Sequence, residues 1–210
     1  KIKPDLVFYG EGWNMDANMP MEEKACSDNA SLLPDYGFFN EMFRDVIKGA
    51  TFHDKITEKG YINGDTSYRF GANFVIHGSV INHSYEPKYV YAHQSINYVE
   101  CHDNNTLFDK LTFSNSEEAE TTLYKRVRLA NALVVLSFGV PFIHMGQEIG
   151  QTKFGLDNTY NKVSVNKMNW EQVDLNFNMV TYLKMIIDLR KNALPYLRLD
   201  ERKDIEQVFE

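Results

Sequence analysis

Several ionisable side chains stand immediately after short apolar runs, where a chain turns out of a strand. Glu11 lies in Tyr9-Gly10-Glu11-Gly12-Trp13, His102 and Asp103 in Cys101-His102-Asp103-Asn104-Asn105, and Glu148 in Gly146-Gln147-Glu148. A carboxyl kept protonated by its surroundings, facing a second that stays ionised, is the equipment of acid-assisted acetal cleavage. The glycines flanking Glu11 let the backbone turn sharply and let another molecule approach closely, and Trp13 offers a flat face on which a sugar ring can stack. Each signal has a plain competitor. Glu11 alone reads equally as a solvated turn carboxylate, and Asp103 as a cap on the next turn with His102 bonded to it. The pairing of Glu11 with Asp103 on one rim is the sharper reading.

That rim follows from the element pattern. Pro4 to Tyr9 reads as a buried strand, Tyr36 to Phe39 as a very short one, Ser95 to Glu100 as another, and Pro141 to Met145 as the last. Between them, Phe39, Met42, Phe43, Val46 and Ile47 recur at helical spacing from Asn40 and stop at Gly49. A weak helix is expected around Asn73 to Val80. Ser114 with Glu117 has capping-box spacing, with Ser116 as the alternative N-cap, ahead of a helix carrying Leu123, Val127, Ala130, Leu133 and Val134 and ending at Gly139. A final helix runs from about Asn176 to Lys191. Residues 14–35 and the stretch Gly150 to Asn169 read as polar loops. Strands alternating with helices predict parallel βα units, whose functional groups gather at the carboxyl ends of the strands. Glu11, His102, Asp103 and Glu148 each fall there.

Other residues take ordinary readings. His53, His77, His83 and His93 lack ligand spacing, and no zinc site or other metal site is expected. His144, mid-strand, reads as a packed core histidine. Cys101 reads as a small buried hydrophobe without a base partner, and Gly139, Gly146 and Gly150 do not form a phosphate loop.

The 210 residues carry 22 basic and 29 acidic side chains, a formal charge of −7, with 43% apolar and 13% aromatic residues. That composition is globular rather than disordered. A negative balance spread along the chain argues against nucleic-acid or anionic-membrane partners. The longest apolar-looking stretch, Ala132 to Ile143, is too short for a bilayer and is interrupted by Ser137, Gly139 and Pro141. No signal-peptide pattern opens the chain, and two cysteines, Cys26 and Cys101, make no disulfide framework.

Three motifs, in this order, resemble one family. Tyr9-Gly10-Glu11-Gly12-Trp13-Asn14 is similar to the segment carrying the general acid of the α-amylase superfamily of glycoside hydrolases, most closely the bacterial type I pullulanases, although Pro often stands where Gly12 does. Tyr98-Val99-Glu100-Cys101-His102-Asp103-Asn104 resembles the segment whose histidine and aspartate hold the sugar at the cleavage point. The run from Gly139 to Glu148 resembles the last-strand motif. Phe38-Phe39-Asn40, Phe43-Arg44-Asp45, Gln94 to Tyr98 and Asn158-Thr159-Tyr160-Asn161 match pullulanase segments too, while Asn105 stands where an aromatic residue is common.

The resemblance implies a (β/α)8 TIM barrel of which this chain holds only the later half, about strands 5–8. Residues 1–192 would be that half, and residues 193–210 the start of a connection to a C-terminal β-domain. It implies a retaining debranching enzyme cleaving α-1,6-glucosidic linkages in pullulan, glycogen or amylopectin fragments, with no cofactor. Glu11 would be the general acid/base, Asp103 the transition-state stabiliser, His102 and Trp13 sugar contacts, and Asn104 and Asn161 further substrate contacts. The family's nucleophile, an aspartate on the preceding strand, has no counterpart here, so the isolated chain is expected to be inactive without the N-terminal half of the barrel. The competing expectation is a non-catalytic half-barrel that binds glucan or self-associates through unpaired strand edges. The family's intracellular members and the lack of disulfides point to the cytoplasm.

Overall fold

A computed structural model describes residues 6–81 and 85–209, with the backbone alone for His53. Pro4 and Asp5 of the expected first strand, and His83, lie outside the described residues. The strands β1 (Phe8–Gly10), β2 (Tyr36–Phe39), β3 (Ser95–Asn97) and β4 (Val140–Pro141) form one parallel sheet in sequence order, β1-β2-β3-β4. Register is set by Tyr9 opposite Gly37, Phe39 opposite Ile96, and Asn97 opposite Pro141. The helices between and beyond them are α1 (Glu41–Lys48), α2 (Arg69–Ile76), α3 (Leu107–Ser114), α4 (Glu120–Leu136), α5 (Val163–Asn166), α6 (Trp170–Leu175), α7 (Phe177–Asn192) and α8 (Arg202–Gln207). None is long and apolar enough to cross a membrane.

α1 forms where the spacing predicts it. The Asn40 side chain accepts a hydrogen bond from Phe43 N at 3.1 Å, and Gly49 leaves the helix at φ +86°. Asn40 also donates to Ser79 Oγ and Ser95 Oγ, pinning the helix start to β3. Phe43, Ile47, Val75, Leu107, Leu111, Val127 and Val134 from α1 to α4 share one buried cluster with Val99 after β3 and Met179 of α7. A second cluster joins Phe38, Val80, Ile81, Tyr89 and Phe138 to Leu197 and Ile205, so residues beyond 192 pack back onto the sheet's flank. Ala92 N donates to Asp200 O there at 2.9 Å.

Several expectations are corrected. The first strand is not buried: Phe8 is 49% and Tyr9 54% exposed, because β1 is an edge strand with no covering layer among the described residues. α2 begins and ends about one turn before the expected helix, since Gly78 at φ +69° and Ser79 at φ +58° break the chain there. Helix α3 is absent from the sequence reading. Its N-cap is Thr106, whose side chain accepts from Asp109 N at 3.1 Å. Ser114 is therefore the end of α3 and not a cap. Its hydroxyl is occupied by Asn63 and Asn115 at 2.9 and 2.8 Å, and α4 starts at Glu120 without a side-chain cap. Pairing in β3 stops at Asn97 and in β4 at Pro141, shorter than expected; one further backbone bond runs from Phe142 N to Asn97 O at 2.9 Å, and beyond it the pair of His144 with Glu100 links the two segments. α7 matches its expected span to within a residue, and the expected polar loop before it holds the single turn of α5.

Candidate active site

The parallel register brings the segments after β1 and β3 to the same edge of the sheet. Glu11 leaves β1 directly. Its turn depends on Gly12, at φ +70°, where a Cβ would lie 2.5 Å from the Phe38 ring. Gly10, by contrast, lies in β1 with open space around it, so only one of the two flanking glycines is sterically required. Ser27 N donates to Gly12 O at 2.9 Å and ties the turn to the loop that follows.

The chain after β3 passes through Tyr98, Val99 and Glu100, all buried, before emerging at His102 and Asp103. One polar atom each from Glu11, His102 and Asp103 lie within 4.8 Å of one another. His102 Nε2 sits 3.3 Å from Asp103 Oδ1, with His102 70% and Asp103 42% exposed. Two carboxylates and an imidazole thus meet on an open, water-accessible rim. The same three groups could offer one ligand atom each to a cation, a geometry the histidine spacing did not reveal; it falls short of the four protein ligands of a structural zinc site.

Buried groups support this rim from below. Glu100, 2% exposed, accepts from Leu107 N at 2.6 Å through Oε2 and pairs with His144 Nδ1 at 2.8 Å through Oε1. His144 is therefore not a packed core histidine: it stands past β4 and binds the carboxylate that closes the Asp103 loop. Lys48 at the end of α1 is buried, and loss of hydration pulls its pKa down to about 8 against the attraction of Glu100. Burial likewise lowers the pKa of Lys153, and the strongest opposing attraction is again that of Glu100. The Cys101 thiol is pushed up by burial, which keeps it protonated and unreactive.

The remaining predicted residues divide. Asn104 adjoins Asp103 and adopts φ +57°; its N–H donates to Asn158 Oδ1 at 3.3 Å. Trp13 is half-buried beside the Gly12 turn. Asn161 is exposed, and the contacts from its loop to the Asp103 segment come from Lys153, Gly155 and Asn158 instead. Asn105 is buried and donates to Gly155 O at 2.9 Å, so it faces inward. Glu148 turns back to accept from Gly146 N at 2.9 Å and does not join the cluster. Sequence reasoning missed Glu100, Lys48, Lys153 and Asn158. A charged residue beside an apolar run looks solvated in one dimension, and only Glu100, inside an expected strand, carried a signal of burial.

No family model matches the chain. A pullulanase of Bacillus subtilis (strain 168) is 41% identical over 214 residues, covering 100% of this chain and 29% of the relative. The crystal structure of pullulanase type I from Bacillus subtilis str. 168 complexed with maltose superposes with a TM-score of 0.93 at 40% identity, over 98% of this chain and 28% of that one. The relatives of this chain include pullulanases and an isoamylase, and its structural neighbours include pullulanases. The pullulanase from Paenibacillus barengoltzii, in complex with maltohexaose and α-cyclodextrin, gives a TM-score of 0.93 at 38% identity over 98% of this chain and 32% of that one. The chain thus spans less than a third of the length of the pullulanases it matches. The relationship is to a glycoside hydrolase family of debranching enzymes, with a parallel sheet in common.

Proposed function

We propose that residues 1–192 are the later half of the (β/α)8 catalytic barrel of a retaining pullulanase, and that the whole enzyme hydrolyses α-1,6-glucosidic links in branched glucans. The observation that carries this reading is the meeting of Glu11, His102 and Asp103 within 4.8 Å at the carboxyl edge of parallel strands.

In this mechanism the Glu11 carboxyl protonates the glycosidic oxygen as the C1–O6 bond breaks and a nucleophilic carboxylate attacks C1. That nucleophile comes from outside these 210 residues, held about 5–5.5 Å from Glu11 as retention requires. Asp103 stabilises the positive charge that develops at C1 and the ring oxygen. His102, largely exposed, hydrogen-bonds a hydroxyl of the same sugar, and Trp13 stacks on the leaving-group side. In the second step the Glu11 carboxylate takes a proton from water, whose oxygen bonds to C1 and expels the nucleophile.

The test is pullulan hydrolysis by the whole enzyme. Glu11→Gln and Asp103→Asn should each cut kcat by at least about 10³-fold while glucan binding persists, and the isolated 210 residues should release no reducing ends. Wild-type turnover by Glu11→Gln overturns the assignment of the acid, and turnover by the isolated chain overturns the division of the barrel. A second reading, a self-associating glucan-binding body without turnover, is favoured by one observation, the exposed apolar run Leu6, Val7, Phe8 and Tyr9 along the edge strand. Concentration-dependent sedimentation of the chain, with no activity in the whole protein, would select it.

A further inference from the structure

Asp103 is carried by a short loop, Cys101 to Thr106, between β3 and the start of α3, and the loop bends at Asn104 with φ +57°. That left-handed conformation is unfavourable for any residue with a side chain, although Asn tolerates it better than most, so something must hold it. Loop ends are tied by Glu100, which accepts from Leu107 N at 2.6 Å, and by the Thr106 cap. The carbonyls at the centre are held by a lysine. Lys153 Nζ donates to His102 O at 2.8 Å and to Asn104 O at 2.8 Å, the two carbonyls on either side of Asp103.

Lys153 comes from the loop that follows β4, is only 3% exposed, and is itself held at its base. Its backbone N–H donates to Asp109 Oδ2 at 2.8 Å, and Thr152 Oγ1 donates to the other oxygen of Asp109. Asn105 Nδ2 to Gly155 O and Asn104 N to Asn158 Oδ1 add weaker ties from the same loop. A lysine free to snorkel into water would keep its ammonium hydrated. This one gives up hydration to serve two carbonyls that no other side chain serves among the described hydrogen bonds. An ammonium suits the task, being a compact charge with several donors that needs no planar partner.

We propose that Lys153 is a positioning residue: it clamps the carbonyls flanking Asp103, holds the bend at Asn104, and thereby aims the Asp103 carboxylate at Glu11. This rests on the glycosidase reading above.

The experiment uses the whole enzyme and measures kcat and KM on pullulan for Lys153→Met, Lys153→Gln, Asp103→Asn and the double variant Asp103→Asn with Lys153→Met. Lys153→Met should lower kcat by roughly 30- to 300-fold with KM changed less than about threefold. Lys153→Gln, which keeps a donor nitrogen and is the gentler change if Met fails to fold, should fall between it and wild type. Because Lys153 acts through Asp103, the double variant should be within about threefold of Asp103→Asn alone. A Lys153→Met rate within threefold of wild type, or a double variant whose loss is the product of the single losses, overturns the clamp. A wild-type rate for Asp103→Asn instead overturns the assignment of Asp103 itself, and so separates failure of the parent reading from failure of this one.

Discussion

Glu100→Ala should be the most damaging single change that touches no exposed part of the rim. The carboxylate is 2% exposed and makes two charge-assisted hydrogen bonds, from Leu107 N at 2.6 Å and His144 Nδ1 at 2.8 Å. It also supplies the strongest favourable charge to Lys48 and Lys153, both buried. Removing one member of a buried ionic group costs about 3–5 kcal/mol, since its partners stay buried without compensation. His144 is 31% exposed and can turn to water, which argues for the lower half of that range, about 3–4 kcal/mol. For a chain of this size that corresponds to a fall in Tm of about 6–16 °C, measured by calorimetry at neutral pH. Glu100→Gln, which keeps an acceptor for Leu107 N, should lose about 1–2 kcal/mol. The sign of the pH dependence follows from Lys48, whose folded pKa is lowered to about 8. Below that value its charge is present in the native state and misses Glu100; above it the folded lysine is neutral, so the deficit of Glu100→Gln should shrink as pH rises past about 8. A Glu100→Ala protein within 1 kcal/mol of wild type would refute the argument that this carboxylate organises the base of the rim.

Two further outcomes test the frame around the site. Arg190 donates to the carbonyls of Val135, Ser137, Gly139 and Leu197 at 2.6, 2.6, 2.8 and 3.1 Å, joining the end of α4, the entry to β4 and the C-terminal segment. Arg190→Met should cost about 2–4 kcal/mol, seen as a lower urea midpoint at unchanged m-value; an unchanged midpoint would show those carbonyls to be adequately hydrated without it. His93 Nδ1 pairs with Asp200 Oδ2 at 2.7 Å, and that bond raises the His93 pKa while lowering that of Asp200. Stability from the raised histidine is complete below its unfolded value near 6.5 and is lost as pH climbs through the higher folded value, so His93→Gln should differ most from wild type near pH 6 and converge with it on the alkaline side. Both groups are more than a third exposed, so the difference should stay under about 1 kcal/mol. A gap between the two proteins that widens toward alkaline pH would contradict the pairing.

Local chemistry wrote part of this protein directly into its residue order. The period of Met42, Phe43, Val46 and Ile47, with Asn40 before and Gly49 after, was enough for α1, because capping and amphipathic spacing act within a few residues. The same holds for α7, and for the placement of Glu11, His102 and Asp103 at strand ends, since parallel βα units send the carboxyl ends of strands to one edge. Helix α3 was not legible because Thr106 and Ser114 are equally good caps in one dimension; the choice was made by Asn63, which donates to the Ser114 hydroxyl from elsewhere in the fold while that hydroxyl donates to the adjacent Asn115. Strand lengths were overestimated because apolar residues continue past the last ladder bond, and pairing depends on what the neighbouring strand offers. The tertiary structure alone decided that Lys48 and Lys153 are buried, that His144 answers Glu100 rather than the core, and that Glu148 bonds its own turn. Burial and charge pairing are properties of distance in space, and residues as far apart in order as Asp103 and Lys153 acquire them only when the chain has closed.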